Sequence, residues 1–516
     1  MTRTRRFLGG LSLGYLYLGL VTVVGLWLTP FLLGRIGQQE YGLWLITTQL
    51  MGYLMLLDLG VVALAPRETA FASGRALNGA QGEVTRTLAT FRRIVRWQIV
   101  PTALVSALAW WLVVRAWPEL FWPLAWVIAA FVIAFPVRLY NATLQGLQDL
   151  PFLGKVQLAA WSAGTAVTIG LVLAGAGLMA LAGGWIVTQA TSAVACRLRL
   201  EWRHREVWRP AAVPVSWKEG RSLLERSGWL SLAQAGHVFL NGSDVLVLGA
   251  VLGPAATVPY ACTGKLVTVL ANHPQLLMQT AAPALAEIRT SAPRQHLVTL
   301  ALALMRAMLV MSGGIACLVL TANQTFVTWW VGQEQFAGWS LTVLLVAVLL
   351  IRHLTSTMTY ALYSFGYERR LSLTALADGG VTVLTTAALA WSTSSGVISA
   401  AYGALAGVLL VSLPFTARAL LRELGLSVRD LARSLRGWAA RWIAATAICV
   451  VIARTLDLTG LPGLMACGAL VVVVYGGLML PLALEPPLGY YVRGGLGLLG
   501  LSWRLGEQTQ ASQSRP

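Results

Sequence analysis

Apolar runs of about 20 residues recur along the whole chain, and they constrain its fold more than any other feature. As a helix, such a run crosses a hydrocarbon core of ~30 Å. The 516 residues are 57% hydrophobic and only 11% charged, whereas a soluble domain carries roughly 25% charged residues. A soluble fold cannot bury this much apolar surface. The sequence therefore predicts an all-α integral membrane protein.

The apolar pattern predicts about fourteen transmembrane helices, arranged as two six-helix bundles around a central cavity plus two extra helices at the carboxyl end. Their approximate ranges are 12–33, 41–65, 94–114, 121–143, 156–176, 180–196, 228–250, 256–281, 297–320, 338–360, 372–391, 395–416, 439–455 and 461–483.

The predicted organisation has five parts. They are an N-terminal six-helix bundle (1–200), a basic cytoplasmic linker (201–227), a second six-helix bundle (228–416), a basic amphipathic segment with two additional transmembrane helices (417–483), and a cytoplasmic tail (484–516).

A formal charge of +18 would suggest a nucleic-acid partner in a soluble protein. Here the basic residues cluster in alternate loops, as in the linker and in 418–441, while the opposite loops carry Arg35, Arg115 and Arg454. Because positively charged loops stay in the cytoplasm, both termini are predicted to be cytoplasmic. Membrane topology explains the charge, and no nucleic-acid partner is expected.

Polar side chains spaced by three or four residues mark one face of three predicted spans. A hydrogen-bonded helix interface and a water-filled cavity both produce such a face. The face of the eighth span is the longest, so a cavity is the favoured interpretation there. The faces comprise Arg138, Asn141, Gln145 and Gln148; Gln234, His237, Asn241 and Asp244; and Lys265, Thr268, Asn272, Gln275 and Gln279.

Three basic residues in the second half, Lys265, Arg306 and Arg352, are predicted to neutralise an anionic head group, because guanidinium groups suit phosphate. An ion pair between Asp244 and Lys265 is the alternative role of that lysine. The predicted cavity residues are Lys265, Arg306, Arg352, Asn272, Gln275, Gln279, His237, Asn241, Asn141 and Gln145.

Four further charged residues are candidates for a coupling or a structural role: Asp58, Asp244, Asp378 and Arg67. A charge at mid-membrane costs roughly 2.5 to 3.5 kcal/mol, so each should face protein or water. For Asp58, an interhelical hydrogen bond or a helix-hinge cap beside Gly60 is favoured over contact with cargo. If burial brings one of the three carboxylates towards neutrality, proton-linked transport becomes available.

Catalytic signatures such as a P-loop, HExxH or GxSxG are missing from the sequence. The five cysteines lie in or beside apolar segments without CxxC pairing, and the five histidines are dispersed. No enzyme activity, cofactor or metal site is therefore expected.

Three segments resemble polysaccharide repeat-unit flippases, the Wzx-type proteins. They are TPFLLGRIGQQEYGLW followed by LLDLGVVALAPRETA, then LYNATLQGLQDLPFLGKVQ, and SDVLVLGAVLGPAATVPYACTGKL. The resemblance covers about the first 280 residues, and the remainder mainly through its span count. Pro66 and Pro259 depart from the family's pattern.

That family belongs to the multidrug, oligosaccharidyl-lipid and polysaccharide exporter (MOP) superfamily. The resemblance implies a bacterial inner-membrane protein that moves undecaprenyl-pyrophosphate-linked oligosaccharides to the outer leaflet for surface polysaccharides such as O-antigen. It implies a lipid-linked oligosaccharide, membrane lipid and polysaccharide assembly proteins, such as a polymerase, as partners. The alternatives are a lipid II flippase, a cation-coupled multidrug exporter, and an O-antigen polymerase or ligase. A large external catalytic loop, expected of the last class, is missing from the sequence.

Overall fold

The computed structural model describes residues 3–77, 82–205, 217–291, 293–392, 395–456 and 458–485. Every regular element within these ranges is helical. A helix satisfies its own backbone hydrogen bonds, which a chain in hydrocarbon requires. The all-α membrane fold class predicted from the apolar runs is thus confirmed.

The first predicted span and the first part of the second lie in one long element, α1 (Arg3–Leu54), broken at Gly37, where φ is 83°. A 3-10 turn (Met55–Asp58) follows, and then α2 (Val61–Leu77), which continues through Pro66. The break between the turn and α2 lies inside the second predicted span.

The remaining helices are bounded as follows: α3 (Glu83–Ala116), α4 (Phe121–Ala134), α5 (Arg138–Gly146), α6 (Leu150–Leu173), α7 (Leu178–Arg203), α8 (Trp217–Leu252), α9 (Pro254–Thr263), α10 (Lys265–Ser291), α11 (Arg294–Val331), α12 (Trp339–Ser364), α13 (Glu368–Ser392), α14 (Ile398–Gly407), α15 (Leu413–Leu424), α16 (Val428–Thr455) and α17 (Gly460–Ala483). Short 3-10 turns at Pro118–Leu120, Phe135–Val137 and Gln333–Gln335 and a π-helical turn at Val408–Ser412 connect them.

The count of fourteen spans is not confirmed. In the described ranges, 11 helices are long and apolar enough to cross a membrane, or 12 if the two bent parts of α8 are taken as one span. Part of the difference is local: most of the first two predicted spans falls in a single candidate span, Tyr17–Asp58.

The chain forms two compact units that do not follow chain order. Unit 1 comprises residues 1–263, 330–337 and 369–412, and unit 2 comprises 264–329, 338–368 and 413–516. Helices α13 and α14 therefore pack with the amino-terminal helices. The predicted boundaries at 200, 228 and 416 stay a prediction.

Unit 1 has a large apolar core at the centre of its first helices. Leu43 of α1, Phe91 of α3 and Leu124 of α4 are at most 1% exposed in it, as is Phe135. This packing fixes the level of the 3-10 turn at Phe135–Val137, next to the site described below.

Unit 2 is held together by aromatic residues of its last two helices. Trp438 and Trp442 of α16 stack with centroids 6.0 Å apart. Trp442 donates to the carbonyl of Gly313 at 3.1 Å, and the Tyr475 hydroxyl donates to the carbonyl of Val310. Helices α16 and α17 are therefore integral to this unit.

Candidate functional site

Two interrupted helices in unit 1 form the starting point of the candidate site. In the first, Leu59 and Gly60 adopt left-handed backbone angles, with φ of 50° and 71°, between the 3-10 turn and α2. A Cβ at Gly60 would lie 2.6 Å from the carbonyl oxygen of Ser227 in α8. Glycine is required here both by the backbone angle and by the close approach of α8.

Asp58 lies at this break and is only 3% exposed. Its Oδ1 accepts a hydrogen bond from the backbone N–H of Gly60 at 2.9 Å, and its carbonyl oxygen accepts one from Gln98 at 3.0 Å. Its Oδ2 lies 3.2 Å from Nη2 of Arg138. Asp58 thus caps the hinge and also carries an ion pair to another helix.

Arg138 begins α5, directly after the second interruption at Phe135–Val137, which contains Pro136. Its side chain is 26% exposed and its guanidinium lies 6.0 Å from the ring centroid of Phe135. Nη2 faces Asp58, while Nη1 is buried without a hydrogen-bond partner among the described residues. The guanidinium is therefore held by Asp58 through one nitrogen and leaves one buried donor unsatisfied.

The two interruptions border a cavity of about 580 Å³, a size that accommodates a drug-sized ligand. Its lining combines one ion pair, a second arginine, four amides and one hydroxyl. The lining residues are Asp58, Val62, Ala63, Pro66, Arg67, Ala134, Val137, Arg138, Asn141, Ala142, Gln145, Gln189, Ser192, Ala193, Cys196 and Gln234.

Close packing of α2 on α5 shapes the cavity wall. A Cβ at Gly146 would lie 2.6 Å from both the carbonyl oxygen of Pro66 and the Cβ of Thr69. Glycine at this position lets the two helices approach, which brings Arg67 of α2 and Gln145 of α5 into one lining.

Four of the predicted residues lie together at this cavity: Asp58, Arg67, Asn141 and Gln145. Arg67, Asn141 and Gln145 are exposed, as expected of side chains that face an open cavity. Arg138 and Gln234, members of the polar faces, lie there as well.

The other predicted residues of unit 1 lie elsewhere. His237 of α8 is exposed and is not part of the cavity lining. Asp244 accepts a hydrogen bond from the Tyr260 hydroxyl at 2.6 Å. Asp378 is 0% exposed and accepts hydrogen bonds from Thr382, at 3.2 Å, and from Ser412.

The predicted cationic residues Lys265, Arg306 and Arg352 belong to unit 2 and are not part of the cavity lining in unit 1. Arg306 forms an ion pair with Glu485, Nη1 to Oε2 3.3 Å. Lys265 and Arg352 are half-buried. Asn272 is exposed and Gln275 half-buried, and neither lines the cavity of unit 1. The side chains of Asn241 and Gln279 lie outside the described residues.

Sequence reasoning missed Gln189, Ser192 and Cys196, all on α7. Their spacing of three and four residues places them on one helical face, the same signal that marked the other faces. None of the three is charged, and apart from Thr191 the residues between them are small and apolar, so they do not stand out within this span. Together with Ala193, they form the part of the cavity wall that α7 supplies.

Part of the sequence matches a known protein family. Residues 99–335, somewhat less than half of the chain, match the family described as polysaccharide biosynthesis protein. No curated protein matches the sequence.

Several solved membrane-protein structures have a similar fold. The lipid II flippase MurJ, in an inward closed conformation, has a TM-score of 0.61 at 10% identity, with 91% of this chain and 98% of that chain covered. A multidrug resistance MATE family transporter of the MOP superfamily, in an inward-facing conformation, has a TM-score of 0.56 at 12% identity, with 81% and 95% covered. A multidrug resistance MATE family transporter of the MOP superfamily in an outward-facing conformation has a TM-score of 0.51 at 15% identity. The match covers 83% of this chain and 94% of that chain.

The chain is therefore a multi-span helical membrane protein with the MOP-superfamily fold. The polysaccharide biosynthesis match and this fold support the predicted resemblance to the Wzx-type flippases. All residues of the cavity on α5, α7 and α8 lie within the matched range 99–335.

Proposed function

We propose that this protein flips undecaprenyl-pyrophosphate-linked oligosaccharide repeat units from the inner to the outer leaflet by alternating access, without enzymatic chemistry. The observation that carries the proposal is a polar cavity built from two helix interruptions inside a membrane bundle. Interrupted helices recur at the binding sites of transporters, because their free backbone groups are tolerated only where they line a cavity.

The position of the cavity suits loading from the cytoplasmic leaflet. Under the predicted topology, α2, α5 and α7 end on the cytoplasmic side, and α8 begins there. Gln145 lies one residue before the end of α5, and Cys196 lies in the last third of α7. The lining thus belongs to the cytoplasmic half of unit 1.

Arg67 is the group of the lining that suits pyrophosphate. It is exposed on the cavity, whereas Arg138 is held in the ion pair with Asp58. Charge-assisted hydrogen bonds from arginine to phosphate are among the strongest available in proteins. The polyprenyl tail would remain in lipid, and a polymerase or another assembly protein would receive the flipped unit.

A lipid II flippase is the second candidate, because the fold shared with MurJ extends over 91% of this chain. Both candidates move a lipid-linked pyrophosphate sugar, so they differ in the glycan. A cation-coupled multidrug exporter would take a substrate without pyrophosphate.

A reconstituted flipping assay separates these functions. Purified protein in proteoliposomes is given either an undecaprenyl-pyrophosphate-linked trisaccharide or lipid II, each with a fluorophore on the sugar. Translocation is followed by the fraction that a membrane-impermeant reductant quenches. We expect protein-dependent flipping of the trisaccharide lipid and much slower flipping of lipid II.

Two variants connect this activity to the cavity. Arg67→Gln removes an exposed arginine that forms no ion pair with a carboxylate in the described part of the chain. It should lower the flipping rate by at least about tenfold, as expected for a lost phosphate contact of about 1.4 kcal/mol or more. Arg115→Gln, which removes an arginine stacked on Trp111 at the far end of α3, is the matched control and should flip normally. Equal rates for both variants, or no flipping by the wild type, would contradict the proposal.

A further inference from the structure

The cavity of unit 1 holds many polar groups but little net charge. Among the described residues, the charged ones in its lining are Asp58, Arg67 and Arg138. Asp58 lies 3.2 Å from Arg138, so this pair contributes no net charge. The remaining charge is that of Arg67, which is exposed and lies 5.4 Å from the ring centroid of Phe71.

Neutral hydrogen-bonding groups make up the rest of the polar lining. They are the amides of Asn141, Gln145, Gln189 and Gln234 and the hydroxyl of Ser192. An amide offers two N–H donors and a carbonyl acceptor, and a hydroxyl both donates and accepts. Sugar hydroxyl and acetamido groups also carry both donors and acceptors, so they can pair with every group in this set.

An acidic sugar fits the same lining poorly. A carboxylate only accepts hydrogen bonds, so it pairs with the N–H and O–H donors of this set but offers no donor to the amide carbonyls. The Asp58 carboxylate, fixed at the cavity with 4% of its side chain exposed, would repel it. Removing a second anion from water into a membrane bundle adds a desolvation cost.

We propose that this cavity binds an uncharged sugar segment of the cargo, built from neutral hexoses or N-acetylhexosamines, and selects against uronic acids. Asp58 acts here as a specificity-determining residue, because it neutralises Arg138 and keeps the cavity unattractive to a second anion. The proposal rests on the proposed flippase function, since only that function brings a glycan to this site.

Binding of two soluble trisaccharides to the full-length protein in lipid nanodiscs tests the selectivity, with saturating inorganic pyrophosphate present to occupy Arg67 as the cargo's own pyrophosphate would. Chitotriose is the neutral probe and trigalacturonate the acidic one, with affinities measured by isothermal titration calorimetry. We expect the wild type to bind chitotriose at least about fivefold more tightly, the ratio that a modest difference in charge interactions produces.

Three variants show whether Asp58 sets this preference. Asp58→Asn should shift the ratio of the two affinities about fivefold towards trigalacturonate, because Arg138 loses its counter-ion. Asp149→Asn removes a carboxylate that pairs with Arg199 at 2.8 Å outside the cavity lining, so it should change neither affinity. Gln145→Lys adds a cation at an exposed position and should raise trigalacturonate binding even if Asp58→Asn fails to fold.

The outcomes distinguish this inference from the function on which it rests. Equal or tighter binding of trigalacturonate by the wild type would overturn it, as would unchanged preferences in Asp58→Asn and Gln145→Lys. Binding of neither probe by protein that flips the trisaccharide lipid would overturn the cavity as a sugar site and leave the flippase function standing. Selective chitotriose binding without flipping would support a neutral-sugar site and contradict the flippase function.

Discussion

The hinge at Gly60 gives a prediction whose size follows from the geometry. In Gly60→Ala, the new Cβ would lie 2.6 Å from the Ser227 carbonyl oxygen and 2.9 Å from the Ser231 amide nitrogen, both backbone atoms of α8. Backbone atoms cannot rotate away, so the two helices must separate. The residue must also hold a left-handed φ of 71°.

The expected loss is the sum of these two costs. A left-handed backbone angle costs an alanine ~1 to 2 kcal/mol, and overpacking typically costs ~1 to 3 kcal/mol. Gly60→Ala should therefore lower the free energy of unfolding by about 2 to 5 kcal/mol. Unfolding is followed by the loss of helical circular dichroism during an SDS titration in mixed micelles.

Two matched variants separate the terms. Gly175→Ala meets open space within 4 Å at a φ of +79°, so it should lose only the backbone part of ~1 to 2 kcal/mol. Gly52→Ala also meets nothing within 4 Å and has an ordinary helical φ, so its stability should not fall. Equal losses for Gly60→Ala and Gly175→Ala would refute the close approach of α8 as the cause.

Two further perturbations address other parts of unit 1. Asp378→Ala leaves the Thr382 and Ser412 hydroxyls without their buried acceptor and should lower the free energy of unfolding by about 1 to 3 kcal/mol; Asp378→Asn retains an acceptor and should lose less in the same SDS titration, and equal losses would contradict this. At the end of α7, burial lowers the pKa of His204 from 6.5, although Asp149 acts in the opposite direction. Below about pH 6.5, His204 binds a proton more readily in the unfolded chain than in the folded protein. The free energy of unfolding should therefore fall as the pH drops below about 6.5. Thermal unfolding of His204→Gln from pH 7.5 to 5.5 should show a smaller acid-side loss than the wild type, and a parallel loss would contradict the assignment.

The polar faces on single helices could be predicted because helical periodicity is a local property. Asn141 and Gln145 lie on one face of α5 by spacing alone, and both face the cavity. Gln189 and Ser192 on α7 have the same helical spacing, but both are uncharged and they were not among the predicted residues. Nothing in the spacing, however, distinguishes a face that lines a cavity from one that lies elsewhere, as for His237.

The partner of Asp58 could not be predicted in this way. Arg67 was the nearest arginine along the helix, but the ion pair is to Arg138, 80 positions away in the sequence. It depends on two helix interruptions reaching the same depth, which the packing of Phe135 in the core determines. Pairings of this kind arise from the whole arrangement of helices.

The sequence alone determined that the chain spans a membrane as helices, which segments resemble the flippases, and which side chains share a helical face. These properties depend on composition and on the period of 3.6 residues, both readable in a short window. Only the tertiary structure decided that the cavity lies in unit 1, that α13 and α14 pack with that unit, and that Asp58 neutralises Arg138. In a membrane, close packing and hydrogen bonds between helices select their neighbours, and those contacts join residues far apart along the chain.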